Sequence, residues 1–149
     1  MEHNNAELSA LTHCIRQCEN VITQGQHLID KCSTLHYEEC ARQRGIAVKH
    51  YEECIQSCKD SKAAVQEHLR SCDNTGCLIA HNLCIQALED CINACNNAIN
   101  ECRPGSQACI DAALACIQKA NSCAQACNEC INVHDEKDED GDIDIEIIL

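Results

Sequence analysis

The sequence contains no phenylalanine, no tryptophan and only two tyrosines. Large aromatic and aliphatic side chains normally supply much of the burial in a core, so a conventional aromatic-anchored interior is excluded. Proline occurs once and glycine five times, so backbone breakers are few and the chain runs in long uninterrupted segments. No apolar run approaches the length of a membrane span, which leaves no membrane role. The opening stretch MEHNNAELSALTH lacks the basic and apolar regions of a signal peptide. Positive charge is scarce as well: 11 Lys and Arg stand against 24 Asp and Glu, a net charge of -13. The last fifteen residues carry eight acids and one lysine, so the rest of the chain is acidic too. Such a body repels phosphate backbones, and no nucleic-acid partner is expected.

What the chain has in abundance is cysteine, 17 residues in 149. Secreted scaffolds use many cysteines as disulfides, and intracellular proteins use them for metal or redox chemistry. An odd number leaves at least one thiol unpaired in any intramolecular disulfide scheme. With no signal peptide, the expectation is a cytoplasmic, reducing compartment and free thiols.

Three breaker sites stand out: Gly45 in RQRGIAV, Asn74 and Gly76 in CDNTGC, and Pro104 and Gly105 in CRPGSQ. They divide the body into segments of roughly 6–43, 46–73, 76–103 and 105–134, rich in good helix formers. Four long helical segments joined by short turns predict an all-α fold, an antiparallel four-helix bundle with helices about 40 Å long. The bundle is expected over residues 1–134, with an acidic tail over 135–149.

Heptad spacing places the cysteines inside this bundle. The second segment steps 3 and 4 through Tyr51, Cys54, Cys58, Ser61, Val65, His68 and Cys72. The third runs through Cys77, His81, Cys84, Leu88, Cys91, Cys95, Ala98 and Cys102, and the fourth through Cys109, Ala113, Cys116, Ala120, Cys123, Cys127, Cys130 and His134. The first is looser: Leu11, Cys14, Cys18, Val21, Gly25, Leu28, Cys32, His36 and Cys40, with a suggested stutter near its end. These are the core-facing positions of a bundle. All seventeen cysteines fall on them.

Cys14/Cys18, Cys54/Cys58, Cys91/Cys95 and Cys123/Cys127 are pairs four apart, with Cβ atoms about 5–6 Å apart on one helix face. Two thiolates so placed can grip one soft ion, but a local disulfide needs Cβ atoms about 3.5–4.5 Å apart. Soft thiolates select Cu(I), Zn(II) or iron–sulfur clusters. The tight CxxC knuckles of structural zinc sites and the cysteine loops of iron–sulfur proteins are missing. A tube of thiols suits a row of Cu(I) ions better than discrete tetrahedral sites. Antiparallel packing gathers His13, His68, His81 and His134 at one end and His36 and His50 at the other, and a histidine-rich mouth can pass ions inward. Of these, His36, His68, His81 and His134 are taken with the seventeen cysteines as candidate ligands.

The motifs CIRQC, CIQSC, CINAC and CAQACNEC, with the heptad cysteines of the last two segments, resemble those of the copper storage proteins, a family of cysteine-rich four-helix bundles. The resemblance covers roughly residues 6–134. It implies cytosolic storage of multiple Cu(I) ions along the bundle axis, thiolate ligands with histidines near an open end, and assembly into homo-oligomers. Cysteine is sparser here in the first two segments, and the acidic tail is an addition.

The residues disfavour several other functions. Di-iron bundles need Glu-x-x-His, and no Glu here has His three residues later. A thiol oxidoreductase needs an exposed CxxC at a helix start, whereas Cys127/Cys130 falls deep in a helical segment. The expectation is therefore a non-enzyme. A metallothionein-like zinc-thiolate buffer and a thiol-packed structural bundle are the alternatives. In the tail, DEKDEDGDIDIEIIL alternates acidic and apolar residues after Gly141, the period of a strand that can join a sheet edge or groove on another protein. It is similar in position and apolar character to the peptides that load cargo into encapsulin shells. A strand that caps a neighbouring subunit, or stays disordered, is the alternative.

Overall fold

The computed structural model describes residues 2–34, 37–103 and 106–138, with side chains over 5–34, 37–103 and 106–133. Four helices fill it: α1 (Glu2–Ser33), α2 (Tyr37–Leu69), α3 (Thr75–Glu101) and α4 (Gln107–Asp138). Each packs on two neighbours, α1 on α2 and α4, and α3 on α2 and α4, which closes the ring of a four-helix bundle. Connections of a few residues between long helices make sequential neighbours antiparallel.

The turns follow from local chemistry. Asn74 caps α3, its side chain accepting a 2.7 Å hydrogen bond from the Cys77 amide. At the start of α4, Ser106 Oγ accepts from the Cys109 amide at 3.1 Å. Both satisfy amides that a helix start leaves without partners. The carbonyls at the end of α3 meet the Arg44 guanidinium, which donates to Cys102 O and to Ile99 O.

The first chain reversal differs from the expected break. Gly45 lies in mid-α2 with nothing near its missing Cβ, and the turn falls instead between Ser33 and Tyr37. An exposed glycine inside a helix costs about 1 kcal/mol relative to alanine, a loss that burial along α2 offsets. The apparent stutter has the same origin: Cys32 ends the stripe of α1 and Cys40 begins that of α2. Within α1 the heptad is unbroken from Leu11 to Cys32. Cys72 also departs from expectation. It lies beyond the end of α2 and is half-buried, while the other sixteen cysteines are buried.

With sulfur and methyl groups lining most of the interior, the large side chains have fixed places. Tyr51 is fully buried, and its ring uses the gap opposite Gly25, where an added Cβ would stand 3.0 Å from Ile117 Cγ1 and 3.8 Å from Tyr51 Oη. Gly25 thus leaves room for two neighbours. Gly25→Val should destabilise the bundle by about 1–3 kcal/mol through overpacking. A lowered thermal midpoint in circular dichroism would register this, and a midpoint at or above the parent's would refute it.

Candidate metal centre

Eleven cysteines are free and buried: Cys14 and Cys18 from α1, Cys54 and Cys58 from α2, Cys84, Cys91 and Cys95 from α3, and Cys116, Cys123, Cys127 and Cys130 from α4. They form a connected file along the axis. From the end holding the α2–α3 turn, the sulfurs run Cys84–Cys127 (3.9 Å), Cys14–Cys58 (3.7 Å), Cys54–Cys58 (4.0 Å), Cys54–Cys91 (3.9 Å) and Cys95–Cys116 (3.3 Å). At a metal–sulfur bond of about 2.3 Å, two sulfurs sharing an ion stand roughly 3.7 to 4.6 Å apart, from tetrahedral to linear geometry. The resting spacing is already near that range. Two groups of four, Cys14, Cys18, Cys58 and Cys123, and Cys18, Cys54, Cys58 and Cys91, have ligand atoms within 4.8 Å of one another. The buried cysteines therefore form clusters able to hold metal ions as thiolates.

Contact shifts the thiols in opposite directions. Hydrogen bonds from Cys18 and Cys58 draw Cys54 down to about 6. Hydrogen bonds with Cys127 and Cys130 draw Cys84 to about 5, against the effect of burial. Cys18 and Cys58 are pushed up, chiefly through Cys123 and then Cys14, with burial adding to both. Cys95 is pushed up by Cys116 first. No lysine or arginine is buried among the described residues, so none of these described side chains balances thiolates inside the tube.

The other six cysteines are joined in three disulfides, Cys32–Cys40, Cys72–Cys77 and Cys102–Cys109, each bridging a turn between consecutive helices. The expectation that all thiols are free is corrected here: helix-end cysteines on facing stripes meet across each reversal, while the pairs four apart within a helix stay unbonded, as their spacing requires.

The two ends of the tube differ. One holds Cys32–Cys40 and Cys102–Cys109 and is packed by Leu28, Ala47, Ala98 and Ala113, with Tyr51 beneath. At the other, Glu7 is buried between two histidines. Its carboxylate lies 2.9 Å from His81 Nε2 and 3.2 Å from His68 Nδ1, and the two rings stack with centroids 4.3 Å apart. Burial works against charge on His81, but the Glu7 carboxylate and the Cys77 carbonyl outweigh it and hold His81 above its ordinary value. Cys130 Sγ donates to Glu7 at 3.7 Å, and Cys77 Sγ lies 3.4 Å from His68 Nε2. A cleft of about 330 Å³ opens onto Glu7 and His68 between Ala6, Ala64, Glu67 and Ser71.

His68 and His81 thus stand together as expected. His36 and the side chain of His134 lie outside the described residues, as do residues 139–149, so most of the expected acidic tail is not placed; α4 itself continues to Asp138. His13 is exposed. The residue that sequence reasoning missed is Glu7. Its signal was present, because the α1 stripe extended back four residues from Leu11 lands on it. No helix among the described residues is long and apolar enough to cross a membrane. Comparison with protein-family models, curated proteins and solved structures gives no match.

Proposed function

We propose that this chain stores Cu(I), binding multiple ions on thiolates along the bundle axis. The observation that carries the reading is the eleven free, fully buried thiols with no buried lysine or arginine beside them. A net charge in a low-dielectric interior is costly. One Cu(I) per thiolate is electrically neutral, whereas a divalent ion on four thiolates leaves two uncompensated negative charges. Soft sulfur ligands favour Cu(I) on chemical grounds as well. The resemblance of CIRQC, CIQSC, CINAC and CAQACNEC to copper storage proteins points the same way.

Ions enter at the end with Glu7, His68 and His81, where the 330 Å³ cleft reaches inward. The opposite end is filled by Leu28, Ala47, Ala98 and Ala113, with Tyr51 beneath. Storage of this kind belongs in a reducing, cytoplasmic setting and needs no catalytic step. Exposed Ile79, Leu83 and Leu114 support assembly with further copies of the chain, and the alternating DIDIEIIL segment is offered as a contact for a protein partner such as a shell.

Anaerobic titration of the reduced protein with Cu(I) against a competing chelator tests the reading. It should show about one tight ion per thiolate, with release of protons as thiols ionise. Saturation at about four ions, with Zn(II) bound more tightly than Cu(I) could displace, would favour a tetrahedral zinc buffer instead.

A further inference from the structure

We infer that the end of the bundle built from His68, Cys72, Cys77 and His81 is a separate site for one borderline divalent ion of the Zn(II) class, opened by reduction of the Cys72–Cys77 disulfide. The four ligand atoms lie within 4.8 Å of one another. The spacing is mirrored about the α2–α3 turn: His68 stands four residues before Cys72, and Cys77 four before His81. Two imidazoles and two thiolates are a familiar tetrahedral donor set for zinc. Its charge also suits a divalent ion, since two thiolates balance it, unlike the thiol-only groups deeper in the tube.

The surroundings support coordination. Glu7 meets Nδ1 of His68 and Nε2 of His81, so an ion would meet His68 Nε2 and, in exchange for its 2.8 Å hydrogen bond to the Cys77 carbonyl, His81 Nδ1. These are the nitrogens on the Cys77 side, 3.4 Å and 3.6 Å from its sulfur. A carboxylate accepting the second ring N–H fixes the tautomer and orientation of a ligating histidine. Glu7 is therefore a positioning residue for both rings at once.

Access depends on sulfur chemistry. While Cys72 and Cys77 are bonded to each other, neither can bind as a thiolate. A dithiol reductant supplies two electrons and two protons, leaves as its own disulfide, and yields two thiols. The incoming ion then displaces two protons to solvent. The site shares His68 and His81 with the proposed copper mouth, but it takes a different ion on Cys72 and Cys77 rather than on the eleven free core thiols.

The full chain, reduced and metal-free, is titrated anaerobically with Co(II) as a spectroscopic stand-in and then with Zn(II). The expected result is one tight equivalent with the visible spectrum of tetrahedral cobalt carrying both sulfur and nitrogen ligands, displaced by Zn(II). That equivalent should be missing from the chain with its disulfides intact. Cys72→Ser alters a half-buried residue past the end of α2, so it should fold normally yet change the cobalt spectrum. Glu7→Gln should weaken Zn(II) about 10–100-fold. The double variant His68→Ala/His81→Ala should lose the site, with helicity checked by circular dichroism. The inference is overturned if Co(II) binds the oxidised chain equally well, if Cys72→Ser leaves the spectrum unchanged, or if the reduced parent shows no stoichiometric binding.

Discussion

Raising the pH above about 8.5 should unfold the reduced, metal-free protein, while the Cu(I)-loaded form persists. An unfolded cysteine ionises near pH 8.5. In the bundle, Cys18, Cys58, Cys95 and Cys123 are held protonated far beyond that, chiefly through hydrogen bonds with Cys123, Cys123, Cys116 and Cys127 respectively, with burial adding to each. The folded state then keeps protons that the unfolded chain releases. Stability is indifferent to these groups below about pH 8.5 and falls above it by about 1.4 kcal/mol per pH unit for each thiol. Because several thiols share this direction, stability should fall steeply with pH in this window. Cys54 and Cys84, drawn down to about 6 and about 5, act in the other window. Their contribution is present above about pH 8.5 and is lost as pH falls through those values. Denaturant midpoints followed by circular dichroism from about pH 7 to pH 10 test this. A midpoint that does not fall above about 8.5 would mean that the thiols are not held protonated. In the loaded protein the sulfurs are already deprotonated, so the alkaline loss should vanish.

Replacing Cys14, Cys18, Cys58 and Cys123 together with alanine should lower Cu(I) capacity by about four ions, by the one-ion-per-thiolate balance. These residues form one of the two all-sulfur groups with ligand atoms within 4.8 Å of one another. They also lie between the histidine end and the deeper Cys54, Cys91, Cys95 and Cys116, so the remaining ions should load much more slowly. Alanine is the best helix former, and the helices should survive. Full capacity reached at the parent rate would show that ions neither occupy nor cross this level of the core.

The fold and the core thiols were readable because a heptad pattern of one residue type is its own evidence. The stripes of α3 and α4, from Cys77 to Cys102 and from Cys109 to Cys130, are buried at every position. The α1–α2 boundary was not readable from breakers. Gly45 advertises a turn and is helical, while the true turn carries neither glycine nor proline. The better signal was the phase of the pattern, since Cys32 and Cys40 cannot share one stripe without a slip. Lys31, paired with Glu39 at 3.4 Å, marks the same reversal. Glu7 escaped notice because a carboxylate at a core position reads as solvated until its histidine partners, 61 and 74 residues away, are brought to it. The three disulfides escaped for a related reason. Which cysteines meet depends on how helix ends face each other, and spacing along one helix says nothing of that.

The stopper formed by Tyr51 and Leu28 at one end has a consequence for time rather than capacity. A store with one mouth behaves as a stack: what arrives last sits nearest the exit and leaves first. On the proposed reading, ions beside Cys95 and Cys116, next to Tyr51, are the oldest in the protein and depart only after their successors have gone. A brief pulse of labelled copper given to a nearly full bundle would be returned early, whereas the same pulse given to an empty one would be retained. The bundle would keep a record of the order in which it was filled.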